Sequence, residues 1–481
     1  MKGIMIQGTS SDSGKSFIAA GLCRMLSNMG LHICPFKSQN MSNNAYVTHD
    51  GREISTAQAV QAHAARLTPE YFMNPILLKP KHNSSSEIIL NGRVYAHDTS
   101  RYREFTQGAG IIAIRQALAH IAANFEAVII EGAGSPAEVN LNACEIVNMR
   151  IAREADVPVI LVADVDRGGS LASVAGTLEL LGDDRQRVKG IIFNKFRGDI
   201  ALFRDAVTWT ENFTGVKVVG VVPYAENVRI SPEDSLDIRD NITAGKINIG
   251  VINFPGIANF TDIDPFMHEH DTNIIYVNGD TSIKTFHELD ALILPGTKNT
   301  PAALEWLKTS GLDEVIANFH GQIFGICGGL QVLGRMVDDV SGLGLVPAVT
   351  RMNEHDKITR QVSGSYRGES ITGYEIHYGR TEYSYGDGFH ELFTVGGSPE
   401  GITDGRISGT YLHGVFSNDN FRASWLKKIY GAHSFTDTHT VNNNSYDAIA
   451  DVLAKNIDVD FILRLLQQPP PATLHSSQMS N

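Results

Sequence analysis

The stretch from residue 3 to residue 16, GIMIQGTSSDSGKS, joins a short apolar run to a glycine-rich loop that ends in Gly-Lys-Ser. A helix is expected to follow, because apolar residues recur at positions 18, 22, 25 and 29, which share one helical face. Strand, loop and helix in this order match the P-loop, in which backbone N–H groups hold phosphates at a helix N-terminus. We therefore predict a phosphate-binding loop at residues 8–16.

The residues at the end of this loop have expected roles in binding ATP. Gly14 lets the backbone N–H groups converge, Lys15 neutralises the β- and γ-phosphates, and Ser16 binds Mg²⁺. The strict motif has glycine five residues before Gly14, whereas this chain has Thr9 there and Gly8 one residue earlier. Because the loop still lies between a strand and a helix, we predict that Thr9 belongs to the ATP site with the other three.

A second apolar run ends in Glu131 and continues into a glycine-rich turn. A carboxylate at the carboxyl end of a strand faces the ligand crevice of an open parallel sheet. Mg²⁺ prefers one or two carboxylates together with phosphate oxygens. We predict that Glu131 and Ser16 bind this ion, with Asp12, Asp164 and Asp166 as alternative carboxylates.

Short runs rich in Val and Ile alternate with helical patterns in both halves of the chain. Runs that are apolar on both faces are typical of parallel strands covered by helices on both sides. We predict an α/β protein of two doubly wound domains. The expected division is a P-loop domain at 1–226, a polar linker at 227–246, a second α/β domain at 247–440, a helical region at 441–466 and a disordered tail at 467–481.

The segment QIFGICGGL surrounds Cys327 with glycines in the pattern G-x-C-x-G. The pattern matches the G-x-S-x-G turn, which exposes a nucleophile between a strand and a helix. The helix N-terminus favours the thiolate, and the N–H groups of Gly328 and Gly296 are candidate oxyanion donors. A base is also needed, and the residues alone leave both His413 and His377 open.

The 40 Lys and Arg residues against 53 Asp and Glu residues give a net charge of −13. This balance gives no reason to expect nucleic acid or an anionic membrane as a partner. The apolar runs are too short to span a bilayer, and the N-terminus has a strand pattern rather than that of a signal peptide. The four cysteines form no CxxC pair, so we expect reduced thiols and a cytoplasmic protein. The oligomeric state stays open.

Together with the two motifs, several further segments resemble the cobyric acid synthase family of the cobalamin pathway. They are PFKSQNMSNN (35–44), NPILLKP (74–80), NFTDIDP (259–265), EIHYGRT (375–381) and TYLHG (410–414). The resemblance covers residues 1–465 and implies a class I glutamine amidotransferase domain that follows an ATP-dependent domain similar to dethiobiotin synthetase. It implies a glutamine-hydrolysing carbon–nitrogen ligase that amidates the remaining peripheral carboxylates of adenosylcobyrinic acid a,c-diamide.

The resemblance also implies roles for particular residues. It makes Cys327 the nucleophile and His413 its base. Class I enzymes often have Glu two residues after this histidine, but this chain has Val415 there. The site is therefore expected to work as a Cys–His dyad, or with another acid such as Glu375 orienting the histidine.

A polar stretch after the second predicted strand is a candidate substrate site. Its side chains are expected to bind carboxylates or amides of the substrate: Lys37, Gln39, Asn40, Asn43 and Asn44. Because the substrate and ATP are both anionic, their site should be locally basic, with Lys15, Lys37 and Lys79 as the first candidates. A polar loop without a binding role explains the same stretch equally well.

Two other functions stay open from the sequence. The related cobyrinic acid a,c-diamide synthase resembles this family in the other motifs. It carries an acidic motif where this chain has the polar residues 38–44. A partition-type ATPase switch with a degenerate second half would also carry a P-loop. Such ATPases often have an extra lysine early in the loop, and this chain has no lysine there before Gly14.

Overall fold

The computed structural model describes residues 1–81, 85–141, 143–225, 240–242, 246–353, 356–431 and 436–467. It contains two α/β domains, each built on a six-stranded sheet with helices packed against it. The prediction of two such domains is confirmed. Within the expected linker, only residues 240–242 and 246 are among those described, and residues 468–481 of the expected tail lie outside them.

The sheet of the first domain is entirely parallel. Its strands lie in the spatial order Lys217–Pro223, Val188–Phe196, Val159–Asp164, Gly3–Gly8, Ala127–Glu131 and Ile33–Phe36. The first strand of the chain is therefore central, and the strand order reverses beside it. Ligands of open α/β sheets bind at the carboxyl ends of the strands at such a reversal, so the fold places the P-loop and Glu131 at one crevice.

The strand Gly3–Gly8 shows why this sheet is covered on both faces. Met5 belongs to one hydrophobic core, whereas Ile4 and Ile6 belong to a second core on the opposite face. Side chains of a strand alternate between its two faces, so an unbroken apolar run fills both cores. The helix that follows buries the predicted face at positions 18, 22 and 25, but Met29 lies just beyond its end and is 48% exposed.

Helices and a smaller sheet complete the first domain. The helices are Lys15–Asn28, Thr56–Ala64, Tyr102–Gln107, Ala109–Asn124, Met149–Ala155, Ser170–Leu180 and Arg204–Thr214. The smaller sheet has the order Gln39–Met41, Ile76–Pro80, Ser86–Leu90 and Arg93–Ala96, and a hairpin joins Ala45–Val47 to Glu53–Ser55. This sheet and hairpin carry the side of the first domain that contacts the second.

The second domain has a parallel sheet with one antiparallel edge strand. The order is Thr272–Val277, Ile247–Ile252, Ala291–Leu294, Gln322–Ile326, Ile407–Thr410 and Ile402–Thr403. Its helices are Asp264–Met267, Ile283–Phe286, Thr300–Ser310, Leu312–Ala317, Gly328–Leu333 and Asp419–Tyr430. Cys327 directly follows the fourth of these strands and lies at the carboxyl edge of the sheet.

Two smaller sheets and a two-stranded unit complete the second domain. One sheet contains Met336–Val337, Val340–Ser341, Ala348–Arg351 and Arg380–Tyr383. Another contains Ile358–Tyr366, Glu369–His377, Phe393–Val395 and Ser398–Glu400, and Ile257–Ala258 pairs with Gly296–Thr297.

The last two helices return to the first domain. They span Thr438–Asn456 and Val459–Gln467, and the longer one packs on the P-loop helix. A Cβ built on Gly21 would lie 2.5 Å from a methyl group of Leu453, so glycine allows this close approach. The buried Arg24 forms an ion pair of 2.7 Å with Asp447. The end of the described chain thus completes the domain with which the chain begins.

None of the helices in the described part of the chain has the length and hydropathy needed to cross a membrane.

Candidate active site

Cys327 occupies a sharp turn between the strand Gln322–Ile326 and the helix Gly328–Leu333. Its φ of 52° is in the left-handed region, which is strained for a residue with a side chain and is typical of functional turns. A Cβ on Gly329 would lie 1.8 Å from Leu294 O, so only glycine fits there. The glycines that flank Cys327 thus permit the sharp turn, as the sequence pattern predicts.

The Gly296–Thr297 turn packs directly on this elbow. A Cβ built on Gly328 would lie 2.7 Å from Thr297 N, and one built on Gly296 would lie 3.2 Å from His413 Cε1. A Cβ on Gly296 would also lie 2.8 Å from Ala258 O, so both positions favour glycine. The two predicted oxyanion residues and the predicted base lie together, although 117 positions of sequence separate Gly296 from His413.

His413 is fully buried and bonded on two sides. Its Nδ1 lies 2.7 Å from Asp262 Oδ2, and it shares a hydrogen bond with Cys327. The other carboxylate oxygen of Asp262 accepts from Gly414 N at 2.6 Å, and Tyr374 stacks on the imidazole ring. The arrangement is a Cys–His–Asp triad, with the imidazole oriented by a carboxylate as in other nucleophilic enzymes.

The environment of His413 favours the protonated imidazole. Burial lowers its pKa, but the charges of Asp262 and Cys327, and hydrogen bonds to both, raise the pKa to about 10. A protonated His413 places a positive charge and a proton donor next to the side chain of Cys327.

The rival histidine belongs to a different network. His377 Nδ1 lies 2.7 Å from Gly379 O, and its Nε2 is 3.9 Å from Glu375. Glu375 in turn accepts two hydrogen bonds from Arg360. Glu375 therefore does not orient His413, and Asp262 is the acid that the sequence reasoning missed. The segment NFTDIDP contains both Asp262 and Asp264, and nothing in its sequence marks which aspartate contacts the histidine.

In the P-loop, Gly14 has a φ of 90°, and a Cβ on it would meet Asn194 Nδ2 at 2.0 Å. Lys15 Nζ donates to a backbone carbonyl of the loop at 3.0 Å and so lies over it. The backbone N–H of Thr9 donates to Val162 O at 2.9 Å and continues the central strand. The geometry is that of a phosphate-binding loop opening a helix.

Glu131 lies next to this loop at the end of the strand Ala127–Glu131. Its Oε1 accepts from Ser16 Oγ at 2.8 Å and from Lys37 Nζ at 3.0 Å, and its Oε2 accepts from Gln61. The structure thus brings the two predicted metal ligands into contact.

The alternative carboxylates are also paired with basic side chains. Asp164 pairs with Lys195 at 3.0 Å, and Asp12 and Asp166 pair with arginines at 3.1 and 3.0 Å. Among these four carboxylates, Glu131 accepts the hydrogen bond from Ser16.

A cavity of about 930 Å³ lies between the P-loop and the second domain. Lys15 and Ser16 form part of one wall, Asp262 and Gly414 part of the opposite wall, and Tyr446 of the C-terminal helix contributes a third side. The phosphate loop and the loop that holds His413 therefore open onto the same space.

In the comparisons with known proteins, two family models match this chain. The model of the CobQ/CobB/MinD/ParA nucleotide binding domain matches residues 4–238, and that of the CobB/CobQ-like glutamine amidotransferase domain matches residues 248–421. A cobyric acid synthase from Geobacillus sp. (strain WCH70) is 42% identical over 95% of this chain and 96% of its own. The chain belongs to the cobyric acid synthase family.

Other members of the family are similar over comparable lengths. The cobyric acid synthase of Geobacillus thermodenitrificans (strain NG80-2) is 42% identical over 97% of this chain and 98% of its own. That of Desulfitobacterium hafniense (strain DSM 10664 / DCB-2) is 41% identical over 96% of this chain and 97% of its own. The protein is accordingly a glutamine-dependent amidotransferase with a nucleotide-binding P-loop domain.

The polar stretch that is predicted to bind substrate forms hydrogen bonds within the protein. Gln39 accepts from a tyrosine hydroxyl at 2.7 Å, Asn40 accepts from its neighbour's N–H at 2.8 Å, and Asn43 donates to a backbone carbonyl at 3.3 Å. Asn44 accepts from Thr261 Oγ1 at 3.1 Å and joins the two domains. A substrate role for these residues stays a prediction.

Asp262→Asn is expected to lower glutamine hydrolysis about 10²- to 10⁴-fold, because the amide no longer stabilises the imidazolium or selects its tautomer. Release of glutamate from glutamine measures the effect. Asp280→Asn, an exposed aspartate of the same domain, is the matched control. Wild-type hydrolysis by the Asp262 variant would contradict the triad.

The same variant should change how stability depends on pH. The pKa of His413 is raised in the folded protein, so its contribution is fully present below about pH 6.5 and is lost as the pH rises through about 10. The contribution is on the order of a few kcal/mol. Denaturant unfolding at pH 7 and pH 10 should show a smaller gap between wild type and Asp262→Asn at the higher pH.

Proposed function

We propose that the protein amidates the remaining peripheral carboxylates of adenosylcobyrinic acid a,c-diamide, using ATP and glutamine, to give adenosylcobyric acid. Similarity to cobyric acid synthases along nearly the whole chain supports this substrate. The observation that carries the mechanism is the shared cavity, which is lined by Lys15 and Ser16 of the P-loop and by Asp262 and Gly414 beside His413.

The second domain would release ammonia from glutamine. Cys327 Sγ attacks the side-chain amide carbon, and the oxyanion accepts hydrogen bonds from the N–H groups of Gly296 and Gly328. His413 gives its proton to the departing nitrogen, so ammonia leaves and a thioester remains on the sulfur. Water then attacks the thioester with His413 as base, which releases glutamate and restores the thiolate.

The first domain would activate the carboxylate that receives this ammonia. A carboxylate is a poor electrophile, so one of its oxygens attacks the γ-phosphorus of ATP, which forms an acyl phosphate and releases ADP. Ammonia attacks the acyl carbon, and inorganic phosphate leaves. Lys15 and the N–H groups of the P-loop neutralise charge on the transferred group.

The residues beside the P-loop fit a magnesium ion. Ser16 and Glu131 present two oxygen ligands 2.8 Å apart, and phosphate oxygens and water would complete the shell that Mg²⁺ prefers. Bound there, the ion would neutralise charge on the ATP phosphates.

The proposed division of labour assigns ATP chemistry to residues 1–226 and glutamine chemistry to residues 247–440, with 441–466 as the helical region beyond them. The cytoplasm is the proposed compartment, since ATP and glutamine are available there and the four cysteines are free thiols.

Mass spectrometry tests the substrate. Incubation of the a,c-diamide with ATP, Mg²⁺ and glutamine labelled with ¹⁵N in the side-chain amide should replace a carboxyl hydroxyl by a labelled amino group at each remaining carboxylate. Cobyrinic acid without the first two amides is the control substrate. Labelling of that compound alone would instead assign the protein to the a,c-diamide synthase reaction.

A further inference from the structure

Charged side chains from both domains form an interdomain cluster away from the cavity, in which the three from the first domain are buried and the two from the second are partly buried. Glu53, Lys79 and Glu87 come from the first domain, and Lys298 and Lys357 come from the second. Lys79 donates to Glu53 at 2.9 Å, Lys298 donates to Glu87 at 3.1 Å, and Lys357 contacts both glutamates. Lys79, expected near an anionic substrate, is instead paired here. Buried charges require such pairing, so the cluster holds the two domains in a fixed relation.

Glu87 reaches the elements on one side of Cys327 through Lys298. Lys298 directly follows Thr297, whose backbone N packs against Gly328 in the turn described above. The backbone N–H of Lys298 also donates to a carbonyl at 3.0 Å, which fixes the residue at the end of the turn. The Lys298 side chain is therefore anchored one residue beyond the turn that packs on Gly328.

The same carboxylate reaches the other side through Tyr378. The hydroxyl of Tyr378 donates to Glu87 Oε1, and Tyr378 directly follows the strand Glu369–His377. In that strand, Ile376 O lies 3.9 Å from Cys327 Sγ. Glu87 thus contacts the residue that follows the Gly296–Thr297 turn and the residue that follows the strand Glu369–His377. Both of these elements pack near Cys327.

We propose that Glu87 acts through Lys298 as a tether between the domains that positions the Gly296–Thr297 turn for glutamine hydrolysis. The inference rests on the proposed role of Cys327. Donors to an oxyanion act only when they are held at the correct distance, and a misplacement of about 1 Å can cost about 10²-fold in rate. Glu87 and Lys298 are positioning residues, and the glutamine site depends on a carboxylate of the domain that uses ATP.

The net positive charge of the cluster suggests a substitution that should leave the protein folded. Burial and the charge of Lys79 lower the pKa of Lys298 to about 8, against the opposing charge of Glu87. The cluster has three lysines and two glutamates, so Lys298→Met removes the excess positive charge and keeps most of the side-chain length. Thermal unfolding of this variant should occur no lower than that of wild type.

In the full-length protein, Lys298→Met is expected to lower kcat for glutamine hydrolysis about tenfold and to leave KM for glutamine within about twofold. Amidation driven by added ammonium chloride should remain at the wild-type rate. Lys298→Arg should restore most of the hydrolysis, because it keeps the charge that Glu87 binds. Lys308→Met, an exposed lysine of the same domain, is the matched control.

Glu87→Gln tests the tether from the other domain. It should reproduce the selective loss of glutamine hydrolysis, and the double variant with Lys298→Met should lose no more than the more impaired single variant, because both remove one interaction. Wild-type glutamine hydrolysis in Lys298→Met overturns the proposal. An equal loss of ammonia-driven amidation also overturns it, because that result indicates general damage.

Cys327→Ala, assayed in parallel, separates this inference from the proposed function. If Cys327→Ala still hydrolyses glutamine, the proposed glutamine site is wrong and the tether falls with it. If Cys327→Ala is inactive while Lys298→Met and Glu87→Gln match wild type, the glutamine site stands and the tether alone is wrong.

Discussion

Cys327→Ala is expected to lower glutamine-driven amidation by at least about 10³-fold, because no other group can form the thioester. Amidation driven by ammonium chloride should continue, since the acyl phosphate forms in the other domain and needs only ammonia. Parallel assays of amide formation with glutamine and with ammonium chloride measure the two routes. The ratio of the two rates, rather than either rate alone, reports the loss of the nucleophile.

The other cysteines provide controls for this result. Burial raises the pKa of the Cys34 thiol, which makes that side chain inert. Cys144 is half-buried and lies outside both proposed sites. Cys144→Ala should therefore keep both routes. Loss of both routes in Cys327→Ala would contradict the assignment of ammonia release and ammonia use to separate sites.

The parts of the site that follow from sequence are those whose residues are neighbours in the chain. The P-loop and the cysteine elbow are local turns, and their glycines are required by contacts within or beside the turn, such as the 1.8 Å approach of a Cβ on Gly329 to Leu294 O. A strand, a turn and a helix in the right order are enough to predict them. The six-stranded sheets are predictable for the same reason, because each strand carries its own apolar pattern.

The acid of the triad is different because its position depends on the folded chain. Asp262 reaches His413 across 151 positions of sequence, and a second aspartate, Asp264, lies two residues away from it. Glu375 was the acid suggested from sequence, yet its carboxylate is used by Arg360. Which carboxylate meets the histidine is decided by the packing of a loop against a strand end, and no local pattern records that packing.

The polar stretch shows the same limit for binding residues. A run of amides after a strand predicts hydrogen bonds, but it does not say whether their partners are a ligand or the protein. Asn44 bonds to Thr261, and Lys37 bonds to Glu131. Lys79, expected beside an anionic substrate, is paired with Glu53 in the interdomain cluster. Contacts with residues distant in sequence therefore occupy charged and amide side chains that the sequence alone suggests for ligand binding.

Lys15→Met is expected to lower amidation by at least about 10²-fold with either nitrogen source, because it removes the cation that faces the transferred phosphoryl group. The loss is shared because the acyl phosphate precedes ammonia attack on both routes. Amide formation with glutamine and with ammonium chloride measures it. Lys189→Met, an exposed lysine of the same sheet, should match wild type.

The fate of the carboxylate oxygen decides between this chemistry and a switch that merely hydrolyses ATP. When the carboxylate attacks the γ-phosphorus and ammonia later displaces phosphate, one carboxylate oxygen leaves with that phosphate. A substrate labelled with ¹⁸O in its carboxylates should therefore give labelled inorganic phosphate with wild type and almost none with Lys15→Met. Amide formation without ¹⁸O in phosphate would contradict the acyl phosphate, and phosphate release without amide would support a P-loop that works as a switch.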